Sequence, residues 1–244
     1  DNGNFQNILK PKLALKISPN NTKDVRTDET KIDVTNIYNL QRLSRNDTIE
    51  GGISLSYGND FTIFDKKNSR DYFSLKIANN LRFEENDDLS QSNQLGAKTS
   101  NLFGEITYNP NDFINMKYSN STKNNINDTV YENLITELSL NNFVTSFDYL
   151  NENNTLNKNS YLLNTTKYAL NNYNNIVFST RENKTKDLTE YYNLMYQYKN
   201  DCLAASIEYN KNYYDDRDIK PEENIFLKLT IIPFGQANTP NLKN

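Results

Sequence analysis

Apolar residues recur at every second position along most of this chain, and small or polar residues stand between them. Such alternation places the two sets on opposite faces of a β-strand. The clearest run sets Tyr192, Leu194, Tyr196 and Tyr198 against Asn193, Met195, Gln197 and Lys199. The same alternation predicts strands around 13–17, 53–57, 73–77, 114–118, 134–140, 143–149, 176–178, 203–209 and 225–232. In all, the pattern predicts about twelve strands.

Short polar clusters separate these runs, and their Asn and Asp residues tolerate the left-handed backbone conformation that tight turns need. The predicted hairpin turns lie at 109–112, 141–142, 171–172 and 199–201. Longer polar stretches alternate with them, at 19–33, 84–94, 121–128, 151–160 and 215–223. Tight turns that alternate with long loops are typical of an up-and-down antiparallel sheet.

The alternation alone is compatible with two architectures. In a soluble sandwich the apolar face packs on a second sheet, whereas in an outer-membrane barrel it meets lipid and the polar face lines a watery lumen. Strands of about ten residues and aromatic residues near many strand ends favour the barrel. A long series of hairpins also leaves unpaired edges unless the sheet closes, and unpaired backbone groups are costly in lipid. The barrel is therefore favoured, and a soluble β-protein stays open.

Composition narrows the choice. A hydrophobic fraction of 36% and a mean hydropathy of −0.84 supply little material for a conventional soluble core, yet 17 Tyr and 12 Phe exceed what disordered chains usually carry. No run approaches the roughly 20 apolar residues of a membrane helix. The net charge of −4, with scattered Lys and Arg, gives no basic patch for nucleic acid. Composition does not change along the chain, so we expect a single domain, 1–244.

The sequence gives little support for catalysis, and we expect no enzyme activity. Histidine is absent, which removes the usual activators of Ser and Cys nucleophiles and the commonest metal ligand. Seven Gly leave little room for a phosphate-binding loop. The carboxylates at 84–88 and 215–218 could bind a divalent cation, although solvated loop charge is the default interpretation. We therefore expect no catalytic residue, no cofactor and no metal.

Residues 36–58 read NIYNLQRLSRNDTIEGGISLSYG. This segment resembles one in the LPS-assembly outer-membrane protein family LptD, also called organic solvent tolerance protein, which reads roughly NLFxxNRFSGxDRIExGxRLxYG. The departures are Gln41, Leu43, Arg45 and Thr48. The matches are Asn36, Arg42, Ser44, Asp47, Ile49, Glu50, Gly51 or Gly52, Leu55, Tyr57 and Gly58.

A second segment, 196–209, resembles the family's penultimate strand, YxxxCCWxxxxxY. Of the adjacent cysteine pair only Cys202 is kept, because Asp201 replaces its neighbour, and Leu203 replaces the aromatic residue that usually follows. The run from Ile225 to Phe234 resembles the final strand. The resemblance thus covers the chain in order from about residue 11 to its end.

The resemblance implies the C-terminal portion of an antiparallel up-and-down transmembrane β-barrel, open or incomplete in this chain. The N-terminal periplasmic domain and the first barrel strands would lie outside it. The implied function is the assembly of lipopolysaccharide into the outer leaflet of the outer membrane. Its sugar portion would pass through the lumen, and its acyl chains would leave through a lateral gate that involves the last strand, Ile225–Ile232. The gate residues would be Ile225, Leu227, Leu229 and Ile231, facing lipid, and Pro233, which cannot donate a ladder hydrogen bond.

The resemblance also implies partners. Cys202 would form a disulfide with the missing N-terminal domain, in an oxidising compartment. Without that bond it would be an inert residue at a strand start. Lipopolysaccharide, a plug lipoprotein, the periplasmic bridge protein and the barrel-assembly machinery are the other expected partners.

Arg42, Asp47 and Glu50 allow two interpretations. They could bridge strands across the lumen or touch the sugar and phosphate groups of the lipid. Alternatively they form a structural loop-to-strand motif, in which Asp47 caps a turn and Gly51 and Gly52 permit a bulge or a close approach. We favour the structural interpretation. For the whole chain, a generic porin or receptor barrel and a secreted carbohydrate-binding β-protein stay open as alternatives.

Overall fold

The computed structural model describes residues 3–19, 22–28, 30–43, 45–124, 127–154, 158–213 and 220–231, and the backbone of 235–238 and 242–243. Ser44, Ile232 and Pro233 lie outside the described residues. Within them the chain is all-β, with one 3-10 turn at Asn36–Tyr38. No helix in this part of the chain is long and apolar enough to cross a membrane.

Twelve long strands follow one another as an antiparallel meander. They are β1 (Phe5–Ser18), β2 (Gly52–Asp65), β3 (Arg70–Arg82), β4 (Leu102–Asn111), β5 (Ile114–Thr122), β6 (Thr129–Leu140), β7 (Phe143–Asn153), β8 (Lys158–Ala169), β9 (Asn174–Asn183), β10 (Leu188–Lys199), β11 (Leu203–Asn212) and β12 (Glu222–Ile231). Their order in the sheet is their order in the chain. Two short strands, β13 (Gly235–Asn238) and β14 (Leu242–Lys243), both pair with β12.

The predicted fold class is confirmed. The sheet is an up-and-down meander, and among the described strands the pairing does not return from β12 to β1, as in an open or incomplete barrel. Two strands, β4 and β8, are missing from the runs that the alternation predicted. In β8 the sequence Asn164-Thr165-Thr166 puts polar side chains on both faces, so the period-two signal fades there.

The turns follow the prediction with one displacement. Asn141 lies in a turn with φ +50°, the conformation that favours Asn at such positions. The turn predicted at 109–112 instead lies at Asp112 and Phe113, because β4 continues through Asn111. Pro110 is accommodated near the strand end, where its carbonyl accepts a hydrogen bond from Arg70 Nη2 at 2.9 Å.

The described contacts divide the chain into two compact units. Unit 1 comprises Asp1–Asn111, Asn115–Leu134 and Leu150–Lys158; unit 2 comprises Asp112–Ile114, Ile135–Tyr149 and Asn159–Asn244. The register of unit 1 gives its sheet one apolar and one polar face, because Leu15 pairs with Leu55 and Leu55 with Leu81. The apolar face is uncovered: the exposed fractions of Leu9, Leu13, Leu15 and Ile17 are 65%, 72%, 61% and 69%.

The two buried apolar clusters of unit 1 lie on the opposite, polar face of the sheet. Two long segments form small apolar clusters there, the β1–β2 connection (residues 19–51) and the β3–β4 connection (residues 83–101). One cluster contains Ile32, Val34, Ile37, Ala78, Leu95 and Phe103, and the other Val25, Leu43 and Leu89. A sandwich would bury the alternating apolar face of the strands, so this arrangement argues against the soluble β-protein alternative.

Unit 2 repeats the two-faced pattern. Pairing of β10 with β11 sets Leu194 opposite Tyr209 on one face and Met195 opposite Glu208 on the other. Large apolar side chains of the first face are uncovered: Tyr192, Leu194, Tyr196, Ile207, Ile225, Leu227, Leu229 and Ile231. The four apolar side chains of β12 that were predicted to face lipid therefore share one exposed face.

Candidate functional site

Glu50, at the end of the β1–β2 connection, is fully buried against three basic side chains. Arg42 donates two hydrogen bonds to its carboxylate, from Nε to Oε2 at 2.8 Å and from Nη2 to Oε1. Arg82 donates from Nη2 to Oε1 at 2.6 Å, and Lys16 donates from Nζ to Oε2 at 3.0 Å. We call these four residues the Glu50 cluster.

The guanidinium groups of the cluster connect three parts of unit 1. Arg42 Nη1 donates to Asn80 Oδ1 at 2.9 Å, on the polar face of β3, and to Ile37 O at 3.1 Å, in the β1–β2 connection. Arg82 Nε donates to Leu95 O at 3.1 Å, in the β3–β4 connection, and its Nη1 to Gly51 O at 2.7 Å. The cluster therefore joins both connections to the polar face of the sheet.

The charges of the cluster are unequal, three positive against one negative. Burial by itself would raise the pKa of Glu50, but the hydrogen bonds from Arg42 and the positive charges of Arg42 and Lys16 outweigh it. The pKa of that carboxyl therefore lies below its ordinary value, and Glu50 is ionised at neutral pH. A buried carboxylate held by three cations is suited to fixing chain segments, not to exchanging protons.

Two glycines of the predicted motif permit the close approach of these segments. Gly52 has φ +90°, and a Cβ there would lie 2.8 Å from Arg82 Nη1. A Cβ on Gly58 would lie 2.2 Å from Tyr38 Oη and 2.3 Å from Ile77 O, so only glycine lets Tyr38 lie on β2. These contacts agree with the structural interpretation of the motif, in which glycine permits a close approach.

The other residues of the motif are scattered. Asn36 donates from Nδ2 to Lys31 O at 2.9 Å and accepts from Asp33 N at 2.9 Å, which shapes the 3-10 turn. Ile49 and Tyr57 are exposed. Asp47 is an exposed acid that accepts hydrogen bonds from Arg45 and Lys23. The hydrogen bond from Arg45 is the main reason why the pKa of Asp47 lies well below its ordinary value. Only Arg42 and Glu50 of the three predicted charges meet.

Lys16 and Arg82 complete the cluster, and the sequence reasoning missed both. Each is one of several charged residues on an alternating strand, and nothing in the local sequence distinguishes it from the others. The signal lies in the register: Lys16 pairs with Ser54, and Ser54 pairs with Arg82, so one row of the sheet carries both cations. That row becomes visible only when the strand pairing is known.

The remaining predicted sites lie in unit 2. Cys202 is a free, exposed thiol in the bend before β11, and its backbone N–H donates to Asn200 Oδ1 at 3.0 Å. Ile225, Leu227, Leu229 and Ile231 lie on β12, whose outer edge carries β13 and β14. In the described part of the chain, no three acidic or cysteine side chains are grouped so that they could hold a metal ion.

A family model matches residues 2–188, and its description is LptD, LPS transport system D. This chain belongs to the LptD family. No curated protein matches it. The match includes the Glu50 cluster and ends at the first residue of β10, before Cys202 and β12. Membership assigns the chain a role in LPS transport at the outer membrane, and the two-faced all-β fold agrees with a β-barrel there.

Proposed function

We propose that this LptD-family chain helps to insert lipopolysaccharide into the outer leaflet. The sugar portion passes along the polar face of the sheet, and the acyl chains leave through a lateral gate at β12. The observation that carries this proposal is the inverted burial of unit 1. Its strands leave Leu13 and Ile17 uncovered on the apolar face and bury Lys16 and Arg82 on the polar face. Uncovered apolar strands suit lipid, and a polar face suits a hydrated saccharide.

The gate is placed at β12 because β12 is the last long strand of the meander. On its inner edge, β12 pairs with β11 from Glu222 through Ile231 without a break. Among the described residues, its outer edge pairs with β13 at Lys228–Ile231 and with β14 at Asn224 and Ile225. Its apolar side chains lie uncovered on the face that the proposal assigns to lipid.

The Glu50 cluster has a positioning role in this function. The cluster holds the β1–β2 connection on the polar face of the sheet. Because this connection is fixed there, it limits the space along that face that is open to a saccharide. Three partners belong to the same proposal. The periplasmic bridge protein supplies the lipid, the plug lipoprotein fills the lumen, and the barrel-assembly machinery inserts the strands.

Depletion of this protein in its own cells tests the transport function. We expect surface lipopolysaccharide, measured by labelling of intact cells, to fall several-fold and to recover when the wild-type gene is expressed again. Normal surface levels after complete depletion would contradict the proposal. Ion conductance of the purified protein in planar bilayers that does not respond to lipopolysaccharide would support a passive porin instead.

We further propose that Cys202 forms a disulfide with a cysteine outside this sequence, since the chain has one cysteine and its thiol is exposed. Extracts made with a thiol-blocking reagent should show a mobility shift on non-reducing gels. The shift should disappear on reduction and in the Cys202→Ser variant. Complete labelling of Cys202 by maleimide in unreduced cells would refute the disulfide.

A further inference from the structure

A cavity of about 450 Å³ opens on the polar face of β10, β11 and β12 in unit 2. Polar side chains line it from all three strands, and small residues of the middle strand form its floor. The lining residues that matter here are Gln197, Lys199, Ala204, Ser206, Lys228 and Thr230. The proposed function passes a saccharide along this face but assigns no binding site to this cavity.

The register places the two lysines on either side of this floor. Lys199 pairs with Ala204, and Ala204 pairs with Thr230; one row along, Gln197 pairs with Ser206, and Ser206 with Lys228. Adjacent strands are about 4.8 Å apart, so β10 and β12 lie about 10 Å apart across β11. The flexible four-carbon stems of the two lysines can therefore bring both ammonium groups over Ala204 and Ser206.

Four lysines on the polar face of unit 1 have an acidic partner, although Lys10 of the same face forms no ion pair among the described residues. Those pairs are Lys12 with Asp60, Lys16 with Glu50, Lys76 with Glu105 and Lys117 with Glu105. Among the described residues, neither Lys199 nor Lys228 forms an ion pair.

One acid also lines the cavity, and among the described residues it forms no ion pair with either lysine. Glu208 lines the same cavity but accepts hydrogen bonds from the side-chain amides of Asn193 and Asn210. The cavity thus combines two lysines without ion pairs with hydroxyl donors from Ser206 and Thr230. Gln197 adds an amide whose oxygen already accepts from Asn175, which leaves its N–H groups to donate.

We propose that this cavity binds a phosphate group carried by a saccharide. The two ammonium groups outnumber the one carboxylate of the cavity, that of Glu208, so the cavity attracts a phosphate group, and the hydroxyl and amide donors can satisfy its oxygens. The inference rests on the proposed function for the identity of the ligand, because the polar face is where the saccharide would pass. The binding site itself does not depend on transport.

Binding to the purified protein in detergent tests the site, with glucose 6-phosphate, inorganic phosphate and glucose as probes and isothermal calorimetry as the measurement. We expect glucose 6-phosphate to bind to the wild-type protein, and its affinity to fall as the salt concentration is raised. In the double variant Lys199→Gln, Lys228→Gln, the affinity for glucose 6-phosphate should fall at least tenfold. The matched control is Lys167→Gln, an exposed lysine of β8 outside the cavity, and its affinity should equal the wild-type value.

The outcomes separate the two proposals. The site would be overturned if Lys167→Gln lost as much affinity for glucose 6-phosphate as the double variant, or if the double variant lost none. Inorganic phosphate binding as tightly as glucose 6-phosphate would overturn its saccharide part. A phosphate site that behaves as expected, in a protein whose depletion leaves surface lipopolysaccharide normal, would uphold the cavity and reject the transport function.

Discussion

Replacement of Glu50 by Gln is expected to lower the free energy of unfolding by about 3–5 kcal/mol, the usual cost of removing one partner from a buried ion pair. The substitution leaves Arg42, Arg82 and Lys16 buried without a carboxylate. Urea unfolding of the protein in detergent, followed by near-ultraviolet circular dichroism of its tyrosines, measures the loss. The β1–β2 connection should also become more sensitive to trypsin.

Asp47→Asn is the matched control for this experiment. Asp47 lies in the same connection and pairs with Arg45 and Lys23, but all three side chains are exposed. Exposed pairs of this kind contribute about 0–1 kcal/mol, so stability and trypsin sensitivity should hardly change. If the two substitutions lowered the free energy of unfolding equally, burial of the Glu50 cluster would add no stability beyond that of an exposed ion pair.

The contribution of Glu50 should depend on pH with a definite sign. Because its pKa is lower in the folded protein than in the unfolded chain, ionised Glu50 stabilises the fold fully above the unfolded pKa of about 4.3. That stabilisation is lost as the pH falls through the lowered folded pKa. The difference between wild type and Glu50→Gln should therefore be largest at pH 7 and shrink in acid. A difference that grew in acid would contradict the assigned charge state.

Leu194→Arg should cost about 2–4 kcal/mol of stability in a bilayer, because it places a charge near the middle of β10 on the uncovered apolar face. Leu194 has Phe178 and Tyr209 as its neighbours across the sheet, so no acid lies beside the new charge. Refolding into lipid vesicles followed by denaturant titration measures the change, and the folded fraction in cells should fall accordingly.

Met195→Arg provides the comparison at the next residue. Met195 points to the opposite face and lies opposite Glu208, so an arginine there remains on the polar side near an acid. We expect a change of about 1 kcal/mol or less, as for a substitution outside the core. If Met195→Arg proved as costly as Leu194→Arg, the assignment of the apolar face to lipid would fail.

The strands could be predicted because their signal is local. A period of two in Tyr192, Leu194 and Tyr196 marks a strand with unequal faces wherever its partners lie. The prediction failed where this signal is weak, as in β8, or where turn-forming residues lie within the last part of a strand, as at Pro110. Asn-rich turns such as Asn141 could be placed because their backbone preference is also local.

The site could be predicted only in part. Arg42 and Glu50 were found because the motif holds them eight residues apart, whereas Lys16 and Arg82 reach the same carboxylate from separations of 34 and 32 residues. Asp47 belongs to the same motif but lies in solvent. Motif membership therefore did not distinguish the buried charge from the exposed one.

The sequence by itself determined that this protein is a meander of two-faced strands and that it belongs with LptD proteins, because alternation and motif spacing are properties of neighbouring residues. The tertiary structure decided that the long β1–β2 connection packs on the polar face, that Lys16 and Arg82 join Glu50, and that Lys199 and Lys228 share a cavity. The physical reason is register: shifting a strand by one residue exchanges its faces, and no local pattern records which residues a partner strand brings alongside.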